Sequence, residues 1–400
     1  LSNSGMATNF ETKYNTIGVE AETKNKMKVA YLFGSLNRGG TETLLLDVCR
    51  SLSKEEFEAI GVYRKKGQLE EAFVQSGIPF YFLPVTKNYM AYFIGLRKLF
   101  IKQQVTIVHA QQPLDALLAY CATLFTGIKI ILTLHGFDFR SNGRKSLLLS
   151  FILKRTNANI YVSNYQRKYY SDRYGLHAEK QLVLYNGIDS SKIELSSNRL
   201  SKHITLRDEL ELPENLLLLG MVGNFNEVRD QLTVCRFLDL LNKEGVDFRF
   251  IFVGKRIENL PDRYDRCVDY CREKGLEQKV FFLGGRNDVP EILTQLDAFI
   301  YSTEHDTFGI AVVEAIMAGV PVFVNDWEVM KEITANGEYA TLYKTKDEKD
   351  LVREFMLFLQ NRETYILRTK KSAQLVRNRY SIDMHIENLK NIYFSLNTHR

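Results

Sequence analysis

Short apolar runs alternate with stretches of helical period along most of this chain. In the first half the runs 29–33, 105–109, 129–134 and 159–162 read as strands. Their near-continuous apolar character is that of strands covered on both faces. Between them, 42–52, 94–102, 115–124 and 146–154 carry apolar residues at helical spacing. The second half repeats the pattern with runs 216–222, 248–253, 280–283, 298–301 and 321–324. Alternation of this kind predicts an α/β protein with two doubly wound parallel sheets, each wrapped by helices. The turn formers and charges of 187–215 mark the boundary between the halves. Amphipathic helices run from about Asp347 to the end. The first 26 residues are polar and without period, and predict a disordered extension.

Composition narrows the class. The 400 residues are 45% hydrophobic and 25% charged, the balance of an ordinary globular protein with two or three domains. No apolar run approaches the roughly 18 residues of a membrane span. The opening residues, with Glu11, Glu20 and Glu22, do not resemble a secretory signal. Five scattered cysteines without a CxxC pair fit a reducing, cytoplasmic setting. A net charge of +5 is too weak to imply nucleic acid. Basic and aromatic residues do gather at Arg140, Arg144, Lys145, Lys154, Arg155, Arg167, Lys168, Tyr169 and Tyr170. That cluster reads either as a solvated face or as a peripheral contact with the anionic inner face of a membrane.

Two segments carry candidate chemistry. The loop 34–41, with Gly39 and Gly40, joins the first strand to a helix. It is neither a P-loop, since Gly40 stands where that motif has Lys, nor a dinucleotide fingerprint. Paired glycines still let the backbone approach a ligand, and the helix start offers free N–H groups to an anion; a plain tight turn is the alternative. The second segment, 304–315, sets Asp306 before a helix and Glu314 inside it. Asp306 has an ordinary use as an N-cap. Glu314 among alanines, valines and isoleucine needs a polar partner. The amides of Phe308, Gly309 and Ile310 would point from the helix start toward an anion. No DxD and no HExxH occurs, which favours a site without a metal.

Several motifs in one order resemble the GT-B-fold glycosyltransferases of the large retaining family called group 1 or family 4. They are Gly39-Gly40-Thr41-Glu42 (GGxE), Leu134-His135-Gly136-Phe137-Asp138 (HG-D), Asn186-Gly187-Ile188-Asp189 (NGID), Val222-Gly223-Asn224 through Arg229-Asp230 (VGR…K), and the pair Asp306 and Glu314 (E-x7-E). The resemblance covers about 27–380 and implies two Rossmann-like domains across a cleft. These would be an acceptor-side domain at 27–195, a nucleotide-sugar domain at 196–380 and a closing helix at 381–400 packing back on the first. It implies further that Glu314 binds ribose hydroxyls and Asp306 those of the donor sugar. Phe308, Gly309, Ile310, Gly39 and Gly40 would contact sugar and diphosphate, His135 would sit near the reacting carbon, and Arg286 would line the base pocket. Asp306 replaces the usual Glu, Arg229 the usual Lys, and Asn224 the usual Arg. Arg229 is then the motif's cation for the departing diphosphate, with Arg256 a substitute for the charge lost at Asn224.

The implied activity is transfer, with retention and without a metal or cofactor, of a hexose-type sugar from a nucleotide-diphosphate sugar, a UDP-sugar first among them. The acceptor would be a saccharide or lipid-linked, in synthesis of a surface polysaccharide such as capsule or lipopolysaccharide, or of a glycolipid. Two other readings keep the fold: a nucleotide-sugar epimerase, and a donor-binding protein without activity, the latter suggested by Asn224 and Asp306. An oxidoreductase is disfavoured because neither half pairs a glycine fingerprint with an acid about 20 residues on.

Overall fold

The computed structural model describes residues 26–37, 39–52, 57–85, 89–139, 142–199, 205–213 and 215–398. The predicted extension, apart from Lys26, lies outside the described residues, as does Arg140. The first sheet has seven parallel strands: β1 (Met27–Phe33), β2 (Phe57–Tyr63), β3 (Phe80–Phe82), β4 (Ile107–Ala110), β5 (Lys129–Leu134), β6 (Ala158–Tyr161) and β7 (Gln181–Val183), in the order β3-β2-β1-β4-β5-β6-β7. The second has six: β8 (Leu217–Val222), β9 (Phe248–Val253), β10 (Val280–Phe282), β11 (Ala298–Tyr301), β12 (Val322–Asn325) and β13 (Thr341–Tyr343), ordered β10-β9-β8-β11-β12-β13. Helices follow nearly every strand, as parallel crossovers require.

In each sheet the order reverses once, between β1 and β4 and between β8 and β11. At such a reversal the following helices leave to opposite faces, and a crevice opens at the carboxyl ends of the strands. The two crevices here are built by the loops after β1 and β4 and by the loops after β8 and β11. They contain the glycine loop and the segment around Asp306.

The strands absent from the sequence reading are β2, β3, β7 and β13. Three of these are three-residue strands at sheet edges, too short for a period. The fourth, β2, is interrupted by Gly61, where a Cβ would lie 2.2 Å from the Phe80 ring; the glycine admits that ring.

The backbone passes between the domains twice, side by side. Ile188 donates to the Tyr380 carbonyl at 2.8 Å and accepts from Ile382 at 3.0 Å. Beyond this point the helix Ile382–Thr398 packs Ile382, Ile386, Leu389 and Tyr393 into the first domain's core. A boundary at 195/196 would cut the helix Ser191–Arg199, whose Ile193 is buried in the second domain's core.

Candidate active site

The first domain's part of the site grows from three strand ends. After β1 the chain turns through Gly34 to Gly39 into the helix Gly40–Ser51; after β4 come Gln111 and Gln112; after β5 comes His135. They enclose a cavity of about 250 Å³ lined by Gly34, Ser35, Thr41, Glu42, Gln111 and His135 among others. Two glycines bring the backbone close to its neighbours here. A Cβ at Gly39 would stand 2.6 Å from the Glu42 carboxylate, and one at Gly40 would stand 3.1 Å from Cδ1 of Ile310 in the second domain. The glycine turn therefore faces the start of the helix Ile310–Met317 across the cleft.

His135 is held from both sides. Its Nε2 lies 2.9 Å from Gln111 Oε1, and its main-chain oxygen accepts from Thr307 Oγ1 of the second domain at 2.9 Å. Burial lowers its pKa to about 4, so the imidazole is neutral at pH 7. With Gln111 Oε1 accepting, the Nε2 proton is in place, and Gln111 Nε2 is left buried with no partner among the described residues. A buried unpaired donor at the wall of a cavity is a ready contact for a ligand oxygen.

In the second domain Asp306 is at the centre. Its Oδ2 accepts from Arg229 Nη1 at 2.8 Å and from the Tyr301 hydroxyl at 2.6 Å. Its main-chain oxygen accepts from the Trp327 indole at 2.9 Å. With these partners Asp306 does not cap the following helix. Gly309 stands at the N-cap with φ +81°, where a Cβ would also meet Met330 at 2.9 Å. Among the described residues no group accepts from the amides of Phe308, Gly309 or Ile310. The Phe308 ring itself is buried against Tyr185 and Tyr380, so this residue offers its backbone rather than its side chain.

Other expected contacts are placed differently. Arg229, read as the cation for a diphosphate, is ion-paired to Asp306, with its guanidinium 5.1 Å from the Tyr301 ring centroid. Arg229 is largely buried and caps no helix; Asp230 caps the helix Gln231–Lys243. Asn224 Oδ1 accepts from the Lys255 amide at 2.9 Å and braces two loops. Arg286 forks onto Glu209 and Asp288 at 2.6 to 2.9 Å, so its guanidinium is engaged by two carboxylates. Arg256 pairs bidentately with Asp265. A cation that does reach across to the first domain is Lys255, whose Nζ lies 3.3 Å from Gln68 Oε1. Sequence reading passed over Lys255, though it directly follows the Val253-Gly254 turn at the end of β9, the position equivalent to the Val222-Gly223 turn.

Glu314 lies half-buried in the helix Ile310–Met317. Burial pushes its carboxyl up to about 7, while Lys192 pulls it down and Asp47 pushes it up. Those two are paired with each other at 2.6 Å, from the helices Ser191–Arg199 and Gly40–Ser51. The charged neighbours that the sequence did not reveal are thus brought by the tertiary fold. Among the described residues no group of three or more His, Cys, Asp or Glu side chains is arranged to hold a metal ion.

Two Rossmann-like parallel-sheet domains with their switch-point crevices facing across a cleft are the GT-B arrangement of glycosyltransferases. Residues 38–192 match the model for Glycosyltransferase Family 4 and residues 203–380 that for Glycosyl transferases group 1. The chain thus joins a family 4 glycosyltransferase domain to a group 1 domain. It is 23% identical over 392 residues to the UDP-Gal:alpha-D-GlcNAc-diphosphoundecaprenol alpha-1,3-galactosyltransferase of Escherichia coli, covering 94% of this chain and 98% of that one. With the capsular polysaccharide biosynthesis glycosyltransferase CapH of Staphylococcus aureus it shares 24% identity, over 92% and 99% of the two chains. Among solved structures, a glycosyltransferase from Rickettsia africae superposes with a TM-score of 0.83 at 18% identity, covering 94% of this chain and all of that one. Anabaena HepE in complex with UDP and glucose superposes with 0.79 at 17% identity, covering 92% and 100%. By their names the galactosyltransferase acts on a diphosphoundecaprenol-linked GlcNAc and CapH acts in capsular polysaccharide biosynthesis; the O-antigen biosynthesis glycosyltransferase WclY of Escherichia coli is 24% identical over 77% of this chain and 82% of that one.

Proposed function

We propose that this chain transfers a hexose-type sugar from a UDP-sugar to a saccharide or lipid-linked acceptor, with retention and without a metal, in synthesis of a surface polysaccharide. The observation that carries this reading is the apposition of the Gly39-Gly40 turn and the free amides at Phe308, Gly309 and Ile310. Backbone N–H groups converging from two domains suit an anion held between them. The donor diphosphate would lie there, with Lys255 at its edge, the ribose hydroxyls on Glu314 and the donor sugar's hydroxyls toward Asp306.

The acceptor would enter the first-domain cavity beside Gln111 and His135. Its oxygen bonds to the anomeric carbon as the bond from that carbon to the diphosphate breaks, and its proton leaves with the diphosphate. Neutral His135 contributes hydrogen bonding rather than charge. Negative charge grows on the diphosphate in this step, so preorganised amides and cations there favour the transition state.

Calorimetry with UDP, followed by assay of UDP-sugars against lipid-linked acceptors, tests the reading. Binding in the micromolar range and turnover that survives EDTA are expected; loss of turnover in EDTA with recovery in Mg²⁺ or Mn²⁺ would overturn the metal-free part. The Arg229–Asp306 pair favours one alternative, a donor-binding protein without transfer, because it withdraws a cation from the diphosphate. Tight UDP binding with no turnover on any acceptor would establish it.

A further inference from the structure

The helix Arg144–Arg155 is apolar on two sides. Leu149, Ile152 and Leu153 are buried, as a core-facing stripe should be. Leu147, Leu148 and Phe151 face outward, 72%, 48% and 40% exposed. With Arg144 and Arg155 they follow the spacing i, i+3, i+4, i+7, i+11. The outward stripe therefore begins and ends with a cation.

A second feature adjoins it. The turn after the helix Pro113–Thr123 places Phe125 at φ +62° with its ring fully exposed. A bulky residue in the left-handed region is strained, and this one gains no packing in return. Arg97 holds the turn outward, donating to the carbonyls of Ala122 and Leu124 at 3.1 and 2.7 Å. One turn back, Tyr120 packs edge-on against Phe151 at 5.6 Å and lies within hydrogen-bond distance of Arg155, so the two features share one surface.

Charge identifies the occupant. Residues 89–155 hold nine Arg and Lys against two acids, a surplus of seven in a chain whose net charge is +5. The two acids are Asp115 and Asp138, whose side chains are 2% and 7% exposed. A face with large apolar side chains, cations at its margins and no exposed acid is complementary to an anionic bilayer rather than to an ordinary protein surface. Tyr169 and Tyr170 do not belong to this face: Tyr170 is buried, and Tyr169 packs against Phe137 and Phe139.

We infer that this face docks the chain on an anionic membrane surface, with Phe125, Leu147, Leu148 and Phe151 entering the headgroup layer and the flanking lysines and arginines meeting lipid phosphates. Leu134 and Phe137, on either side of His135, pack in one core with Leu149, Ile152 and Leu153 of this helix, so the docked face is continuous with the acceptor side of the cleft. That continuity would present a lipid-linked acceptor to His135, a step that rests on the proposed transfer; the docking itself does not.

Co-sedimentation with vesicles tests it. The full chain should pellet with phosphatidylcholine vesicles containing about a quarter phosphatidylglycerol, at least tenfold more than with phosphatidylcholine alone, and 0.5 M NaCl should release it. Phe125→Gly and Leu147→Gln/Leu148→Gln should each cut partition about tenfold. Phe125→Gly also relieves the backbone, so its melting temperature should hold or rise, and UDP affinity should be unchanged in both variants. Equal pelleting of variant and wild type, or none of the wild type at low salt, overturns the inference. So does a concentration-dependent dimer that the same substitutions dissociate, since the face would then meet a second copy. Loss of UDP binding with vesicle binding intact would instead sink the donor-site reading alone.

Discussion

At the residue scale two carboxylates of the proposed donor site sit in contrasting surroundings. Asp306 is 8% exposed and holds an arginine and a tyrosine hydroxyl, whereas Glu314 has its carboxyl raised to about 7 by burial. For Glu314 the folded pKa lies above the unfolded one. Its contribution to stability is therefore fully present below about pH 4.5 and is lost as pH rises through about 7. Binding of ribose hydroxyls runs the other way, because they donate to the ionised carboxylate. UDP affinity should fall as pH drops from 8 to 6, and Glu314→Gln should flatten that profile and weaken UDP about ten- to a hundredfold at pH 8. The same variant should melt higher than wild type at pH 8. A pH-independent UDP affinity in the wild type would remove Glu314 from the ribose. Arg229 has a different signature. Arg229→Ala should cost about 10² to 10³ in turnover, and it should also destabilise by about 3–5 kcal/mol because Asp306 is left buried without its cation. Arg229→Lys should keep substantial activity. Arg229→Met/Asp306→Asn, which removes both charges, should recover most of the stability in urea titrations but none of the turnover. If turnover returned as well, the pair would be structural.

At the element scale the legible part of the fold was the long apolar strands, and the illegible part was whatever depends on a neighbour. Runs such as 248–253 and 129–134 carry their own signal, because nearly every position is buried and all but Arg249, Lys129 and Thr133 are apolar. The three-residue strands β3, β7 and β13 acquire their identity only from the strand beside them. The site divides in the same way. Its glycines, His135, Asp306 and Glu314 stood out as residue types in motifs. The groups that bear on their state, Gln111 and Thr307 beside His135 and Lys192 and Asp47 near Glu314, are remote in sequence and ordinary in type. The helix Ile382–Thr398 is the clearest case of neighbour-dependence. Its Tyr393 hydroxyl lies 2.8 Å from both the Tyr31 hydroxyl and His109 Nδ1, while His109 Nε2 lies 2.7 Å from Thr133. All four side chains are buried, so the chain's last helix is bonded to the middle of the first sheet. Tyr393→Phe leaves two buried polar groups short of a partner and should cost about 1–3 kcal/mol. A loss below about 0.5 kcal/mol in thermal unfolding would mean that apolar packing alone holds the helix.

At the scale of the whole molecule, the described arrangement is closed by a few polar contacts around the double crossing at Ile188 and Ser381. Thr307 reaches the His135 carbonyl, Lys192 pairs with Asp47, and Lys255 meets Gln68. The densest contact is Glu332, which lies in the helix Glu328–Ile333 of the second domain. Its carboxylate accepts from the amides of Asn164 and Tyr165, at 2.7 and 3.0 Å, and from the Tyr185 hydroxyl at 2.8 Å. The two amides are at the start of the helix Asn164–Tyr174, so the carboxylate is set against the positive end of that helix's dipole. With Asn164 Nδ2 donating at 3.1 Å, four donors from one domain converge on one carboxylate of the other and form a clasp whose loss favours opening while each domain's core stays intact. Glu332→Ala should therefore leave unfolding of the separate cores nearly unchanged, raise the radius of gyration in small-angle scattering, and raise the KM for donor and acceptor together, since on the proposed function both would occupy the cleft between the domains. Glu332→Gln keeps an acceptor oxygen but not the charge, and should fall between the two. An unchanged scattering curve for Glu332→Ala would show that the crossing segments and the helix Ile382–Thr398 hold the domains by themselves, and that closure does not depend on this carboxylate.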